Sequence, residues 1–296
     1  MQTINLSKLI FSPLFLGILK ESGLQFDHIF TDNENLAKEE GIERINENLP
    51  NFFSKKQGEK VLFLLDQMGS NDILPAIKGK FETCYIINAR TGIGSFGKKL
   101  APENTYLNTE TCQNFSPVFP FDLEGLIKAL KHEKNKLILL SNQEVPGNKY
   151  ENNNDEELQI IDKAIVEEPE LLHLLTPEHP ELLLIGTGNH FEELVKLSQL
   201  LQQEPEKTAL MLIGKRELLS SEAVQHLSKS SKKIWIILDH LPNEELKKLL
   251  EKILGKPVHL LTPAYKKLSS FFPEYQFEQT NFDAQNLFNQ SLQLLK

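Results

Sequence analysis

The sequence predicts an α/β protein built from two doubly wound domains with mainly parallel sheets. Three observations predict it. Short apolar runs of strand length alternate along the chain with amphipathic stretches of about 10–15 residues, the pattern of successive β-α-β units. One stretch, Phe115–Tyr150, carries such a unit with its punctuation in place. The third is a break: Lys149–Glu157 (KYENNNDEE) is the most polar segment and has no hydrophobic periodicity. It reads as a linker, with a long surface loop inside one domain as the plainer alternative. The expected division is a first domain over 1–150, a linker over 151–160 and a second domain over 161–296.

The elements follow in order. Leu6–Glu21 reads as a helix that Pro13 breaks or starts, and Gln25–Thr31 alternates like a short strand. Glu34–Asn48 reads as one helix capped by Asn33 or Asp32, with Pro50 beyond its end. Lys60–Leu65 is a buried-strand candidate, followed by a helix that runs through Ile77. Thr83–Asn88 is the next strand, and a glycine-rich loop, Ala89–Gly97, follows it. In the best-punctuated unit, Phe115–Phe119 is a strand and Pro120 cannot continue a ladder. Asp122 can accept from the first free N–H groups of the helix Leu123–His132. Leu123, Leu126, Ile127 and Leu130 form one apolar stripe, and Lys136–Ser141 is the returning strand. In the second half, Leu182–Ile185, Thr208–Ile213, Lys233–Leu238 and Pro257–Leu261 read as strands. His190–Gln203, Lys215–Ser228, Pro242–Leu254, Pro263–Phe271 and Asp283–Leu295 read as helices.

Composition narrows the function. Of 296 residues, 40% are hydrophobic and 25% charged, which fits a globular protein. No run reaches the roughly 18–20 apolar residues that span a bilayer. The apolar stretch Leu9–Leu19 follows a single Lys region and precedes no small-x-small site, so a first helix is expected rather than a signal peptide. With 41 acidic against 32 basic residues the formal charge is −9, and no stretch is clearly basic, which argues against phosphate-held nucleic acid. Cys84 and Cys112 are far apart and in no CxxC frame. They are expected to be reduced thiols of a cytoplasmic protein, with Cys84 in the core.

Three loops after predicted strands are candidates for ligand contact. Arg90–Gly97 is glycine-rich but is neither GxGxxG nor a Walker loop, and a tight return across the sheet edge explains it more simply. Gly186, Gly188, Asn189 and His190 lead from a strand into a helix, so their N–H groups can receive an anion. Close strand-helix packing explains the glycines equally well. Asp239-His240 is an acid/base pair or a surface turn closed by Pro242; adjacent side chains in an extended segment diverge. No HxxxH, HExxH or GxSxG occurs, so neither a zinc site nor a nucleophile-elbow hydrolase has support.

The stretch around Pro120 resembles a transketolase. That family's pyrimidine-binding domain has a strand, a P-x-D helix entry and a strand closing in S-R-Q-x-x-P; here stand Pro120-Phe121-Asp122 and Ser141-Asn142-Gln143-Glu144-Val145-Pro146. Collinear with these, Gly41-Ile42-Glu43-Arg44 resembles G-I-A-E. Gly92 with Ala101-Pro102-Glu103-Asn104 resembles the glycine loop running into G-P-T-H. Ile185–Gly188 resembles the start of the family's C-terminal domain, and 281–295 its final helix. The resemblance covers nearly the whole chain but only the C-terminal two-thirds of a transketolase, and no GDG of the diphosphate-binding domain occurs.

The resemblance implies thiamine diphosphate chemistry, and the departures put it in doubt. The family glutamate that hydrogen-bonds the aminopyrimidine falls on Arg44, with Glu43 one position early; a cation cannot accept that bond. The histidine of G-P-T-H is Asn104, and the arginine of S-R-Q that holds sugar phosphate is Asn142. Of the aromatic cluster that stacks on the pyrimidine, only Phe63 is offered, and Gly92 stands for the cofactor-side glycine. The expectation is therefore a pseudoenzyme: a transketolase-like protein lacking the diphosphate-binding domain and key catalytic residues, acting as a non-catalytic interaction or regulatory subunit. It would be a homodimer or pair with a transketolase-like partner chain, without nucleic acid or membrane. No cofactor is expected for the chain alone; thiamine diphosphate and magnesium would enter only if a partner with a diphosphate domain completes the site. One alternative is the C-terminal subunit of a split, thiamine diphosphate-dependent transketolase. Another is an unrelated α/β protein that binds a small anion at Gly186–His190.

Overall fold

The computed structural model describes residues 9–45, 49–54, 58–65, 70–77, 79–88, 113–115, 126–127, 130–131, 136–139, 144–145, 165–168, 171–187, 190–202, 207–214, 216–238, 244–262 and 280–295. Within them the chain forms two six-stranded sheets and a two-stranded ribbon. The ribbon pairs β1 (Leu9–Ile10) antiparallel with β8 (Glu144–Val145).

The first sheet is parallel throughout, in the order β3-β2-β4-β5-β7-β6. Its strands are β2 (His28–Thr31), β3 (Glu43–Arg44), β4 (Gly58–Leu65), β5 (Phe81–Asn88), β6 (Gln113–Phe115) and β7 (Lys136–Leu139). Val61–Leu65 and Cys84–Ile87 are buried at every position, as expected of central strands covered on both faces. One face packs on α1 (Phe11–Glu21), α2 (Glu34–Glu40) and the helical residues 126–127 and 130: Phe15, Leu16, Leu36, Leu126, Ile127 and Leu130 meet Leu62, Leu64, Tyr85 and Ile87. The other face packs on α3 (Leu49–Ser54) and α4 (Ser70–Ile77) through Phe30, Phe53, Phe63, Ile73 and Ile86.

The second sheet runs β14-β13-β11-β12-β10-β9. Its parallel members are β11 (Leu182–Gly186), β12 (Thr208–Ile213), β13 (Lys233–Ile237) and β14 (His259–Leu261). Helices α5 (Phe191–Leu201) and α8 (Ala284–Leu295) cover one face. A 3-10 turn (Arg216–Ser220), α6 (Glu222–Ser230) and α7 (Glu244–Leu254) cover the other. Two mainly parallel sheets wound on both faces is the predicted class. Cys84 is buried in the core, as expected, and no described helix is long and apolar enough to cross a membrane.

Two local expectations are corrected, Glu34–Asn48 and Lys215–Ser228. Glu34–Asn48 is not one helix: α2 ends at Glu40 because Gly41 takes a left-handed φ of 67°, after which the chain forms β3 and restarts as α3. Pro50 is the second residue of α3, where its missing N–H costs nothing. Lys215–Ser228 is split by Ser221, whose hydroxyl accepts from Val224 N–H and caps α6. Two strands had no prediction: β10 (Leu171–Leu175), which adds antiparallel to β12, and β9 (Ile165–Glu168), which adds antiparallel to β10. Their apolar runs are short and Pro169 interrupts them, so strand pairing decided what periodicity left open. The polar segment 149–157, the loop 89–97 and the predicted helix 263–271 lie outside the described residues.

Candidate functional site

Each sheet has one place where neighbouring strands send their connections in opposite directions, and ligands of such sheets sit beyond the carboxyl ends of those strands. In the first sheet this is the gap between β2, which leads outward to β3, and β4, which leads inward to β5. In the second it is the gap between β11, which leads to β12, and β13, which leads the other way to β14.

At the first gap β2 ends at Thr31 and Asp32 follows it, both buried. Asn33 caps α2, its side chain accepting from the amides of Asn35 and Leu36 at 3.0 and 3.1 Å. The Thr31 hydroxyl accepts from Asn33 N–H and its carbonyl from Ile45 N–H. Asp32 is thus a carboxylate only 7% exposed, on the hydrogen-bonded turn that follows the strand. Sequence reasoning treated it only as a possible cap; an aspartate directly after a parallel strand was the available signal for more.

Glu43 and Arg44 sit on β3, not on a helix, so their side chains leave opposite faces. Glu43 pairs in register with Phe30, and its Oε1 accepts from His28 Nδ1 at 2.9 Å. His28 begins β2, so the carboxylate leans toward the amino end of the sheet, away from the crevice. Arg44 turns the other way: its guanidinium lies 3.1 Å from Glu34 Oε2 in the first turn of α2. Lys38 first, and then Arg44, hold the Glu34 carboxyl below its ordinary value.

Phe63 lies in the core. It is fully buried, stacked on Phe30 at 5.1 Å and edge-on to Phe53 at 5.6 Å, so neither ring face is open to a ligand. Gly92, Asn104 and Asn142 lie outside the described residues.

At the second gap the structure brings together Gly186, Thr187 and His190; Gly188, Asn189 and Asp239-His240 lie outside the described residues. A Cβ on Gly186 would meet Leu194 Cδ1 at 2.3 Å, so this glycine lets α5 approach β11 closely. That is the packing reading of the two weighed above for this residue. His190 is 2% exposed at the start of α5, with Nδ1 3.4 Å from Thr187 Oγ1 and its ring edge-on to Phe282. Glu193, also buried, accepts from the Ala284 amide at 2.7 Å and from Lys196, and so ties α5 to the start of α8. Among the described residues no three His, Cys, Asp or Glu side chains are placed to hold a metal ion.

No protein-family model matches the chain, and no curated protein matches it. Solved structures do. A split-gene transketolase, described as an inactive β4 tetramer, superposes with a TM-score of 0.63 at 14% identity over 93% of this chain and 94% of that one. The transketolase of Campylobacter jejuni gives 0.62 at 14% identity over 99% of this chain, which spans 48% of its length. A mutant transketolase of Pichia stipitis gives 0.52 at 10% identity over 79% of this chain and 33% of that one. At such identities the likeness is one of fold, and the fold of this chain is transketolase-like.

Proposed function

We propose that this chain is a transketolase-like pseudoenzyme, a subunit without ketol-transfer activity that acts by associating with another chain. The observation that carries this reading is the placement of Glu43 and Arg44. Thiamine diphosphate would need a carboxylate accepting from its aminopyrimidine, and an apolar surface for the ring. Glu43 is engaged by His28 and leans from the crevice, Arg44 is a cation paired with Glu34, and Phe63 is sealed in the core. These residues do not fit the cofactor. Asn104 and Asn142, in place of the family's histidine and arginine, point the same way.

A second reading is favoured by one comparison. The matching split-gene transketolase chain is covered almost end to end, as a C-terminal subunit of a split enzyme would be. The test is to purify the chain, mix it with a chain bearing the GDG…N motif, add thiamine diphosphate and magnesium, and follow ketol transfer together with native mass spectrometry. The pseudoenzyme reading expects complexes or homo-oligomers with no cofactor mass and no turnover. Turnover overturns it in favour of the split enzyme. In that event Glu43→Gln is expected to leave the rate unchanged, because its carboxylate is engaged by His28.

A further inference from the structure

The amino end of the first sheet carries a cleft that belongs to neither crevice. Its volume is 360 Å³, within the roughly 300–1,000 Å³ of small-molecule sites. The fold explains why it exists. Strand β3 is only two residues long and covers only the end of β2, leaving the Ile29 side chain partly open. Above it α1 and α2 both stop short, and the glycines that follow them, Gly23 and Gly41, take left-handed φ values of 69° and 67°. Leu24, Phe26, Ile29 and Ile42, all partly buried, make an apolar wall. Lys20 and Glu40, from the last turns of α1 and α2, bridge the rim at 2.6 Å.

We propose that this cleft binds a small zwitterion with an apolar body, of the class of hydrophobic α-amino acids. Its carboxylate pairs with Lys20, its ammonium with Glu40, and its side chain lies on the Leu24, Phe26, Ile29 and Ile42 wall. The Lys20 side chain is 67% exposed, so the pair closing the rim is a weak one and opens at little cost. A simple anion would leave Glu40 facing like charge, and a simple amine would do the same to Lys20. A zwitterion alone satisfies both.

The test is calorimetric titration and thermal shift of the full chain with L-leucine and L-phenylalanine, beside 4-methylpentanoate, which lacks the ammonium, and 3-methylbutylamine, which lacks the carboxylate. At least one amino acid is expected to bind saturably, and each truncated analogue about tenfold or more weaker, the loss of one charge-assisted bond. Lys20→Ala and Glu40→Ala should each weaken amino-acid binding by a similar factor with the circular dichroism spectrum unchanged, and Ile42→Trp should abolish it by filling the cleft. The proposal is overturned if neither amino acid binds at millimolar concentration, if the analogues bind equally well, or if both charge variants bind like the parent chain. The analogue comparison needs no variant to fold, and none of these residues belongs to the crevice on which the pseudoenzyme reading rests.

Discussion

Gly186 illustrates how one residue type admits two explanations until its neighbours are known. A glycine between a strand and a helix serves an anion or a close contact, and the sequence is the same in both cases. Leu194 supplies the close contact at this position, because it occupies the place a Cβ would take and is itself wholly buried. Gly186→Ala should therefore destabilise by about 1–3 kcal/mol through overpacking. Pairing it with Leu194→Ala should cost less than the sum of the two single changes, a non-additivity read from urea midpoints. Asp27 gives a pH-dependent case. Its Oδ2 accepts the Lys60 and Glu59 amides at 2.8 Å each, and these, the Lys60 amide foremost, hold its carboxyl below 3.8 against desolvation. A depressed folded-state value stabilises the fold above the unfolded value, and that stabilisation is lost as pH falls through the folded one. The stability gap between the parent and Asp27→Asn should thus be widest above pH 3.8 and close on further acidification, as seen in denaturation midpoints across that range.

At the scale of elements, the chain from α2 to α3 shows how much one backbone angle settles. Read for periodicity alone, Glu34–Asn48 is a continuous helix, because Leu36 and the charged residues around it suit one. Gly41 breaks that pattern by entering the left-handed region, and Glu43 and Arg44 just beyond it are captured by β2 as an edge strand. No side chain crowds Gly41, so Gly41→Ala should cost only the backbone strain, about 1–2 kcal/mol, measurable by chemical denaturation. The neighbouring core was far more legible. Phe30 and Phe63 belong to predicted strands, and with Phe53 they meet in one aromatic cluster between β2, β4, α3 and Phe81. Phe30→Ala, at its centre, should destabilise by about 3–5 kcal/mol in the same measurement. Strands β9 and β10 escaped notice for the opposite reason. Their identity comes from antiparallel pairing, β10 on β12 and β9 on β10, not from any period of their own.

For the molecule as a whole, the polar segment 149–157 separates the strands of one sheet from those of the other in sequence. If it is a boundary between domains, limited proteolysis of the native chain should cut first between 149 and 160 and yield two protected fragments. An early cut elsewhere would argue for a different division. The amino-acid sequence by itself determined the class of this protein. Alternating apolar runs and amphipathic helices are local patterns, each of which must bury one face, and parallel sheets wound by helices are the economical way to bury them all. The resemblance in motif order, carried by particular residues such as Pro120–Asp122 and Ser141–Pro146 and not by periodicity, pointed to the transketolase-like fold. What only the tertiary structure decided is where polar side chains point. Whether Glu43 faces a crevice or His28, whether Arg44 meets a ligand or Glu34, and whether Lys20 and Glu40 close over a cleft depend on strand register and on where helices end above the sheet. Those are contacts between residues up to 20 positions apart in sequence, set by packing that no local period encodes.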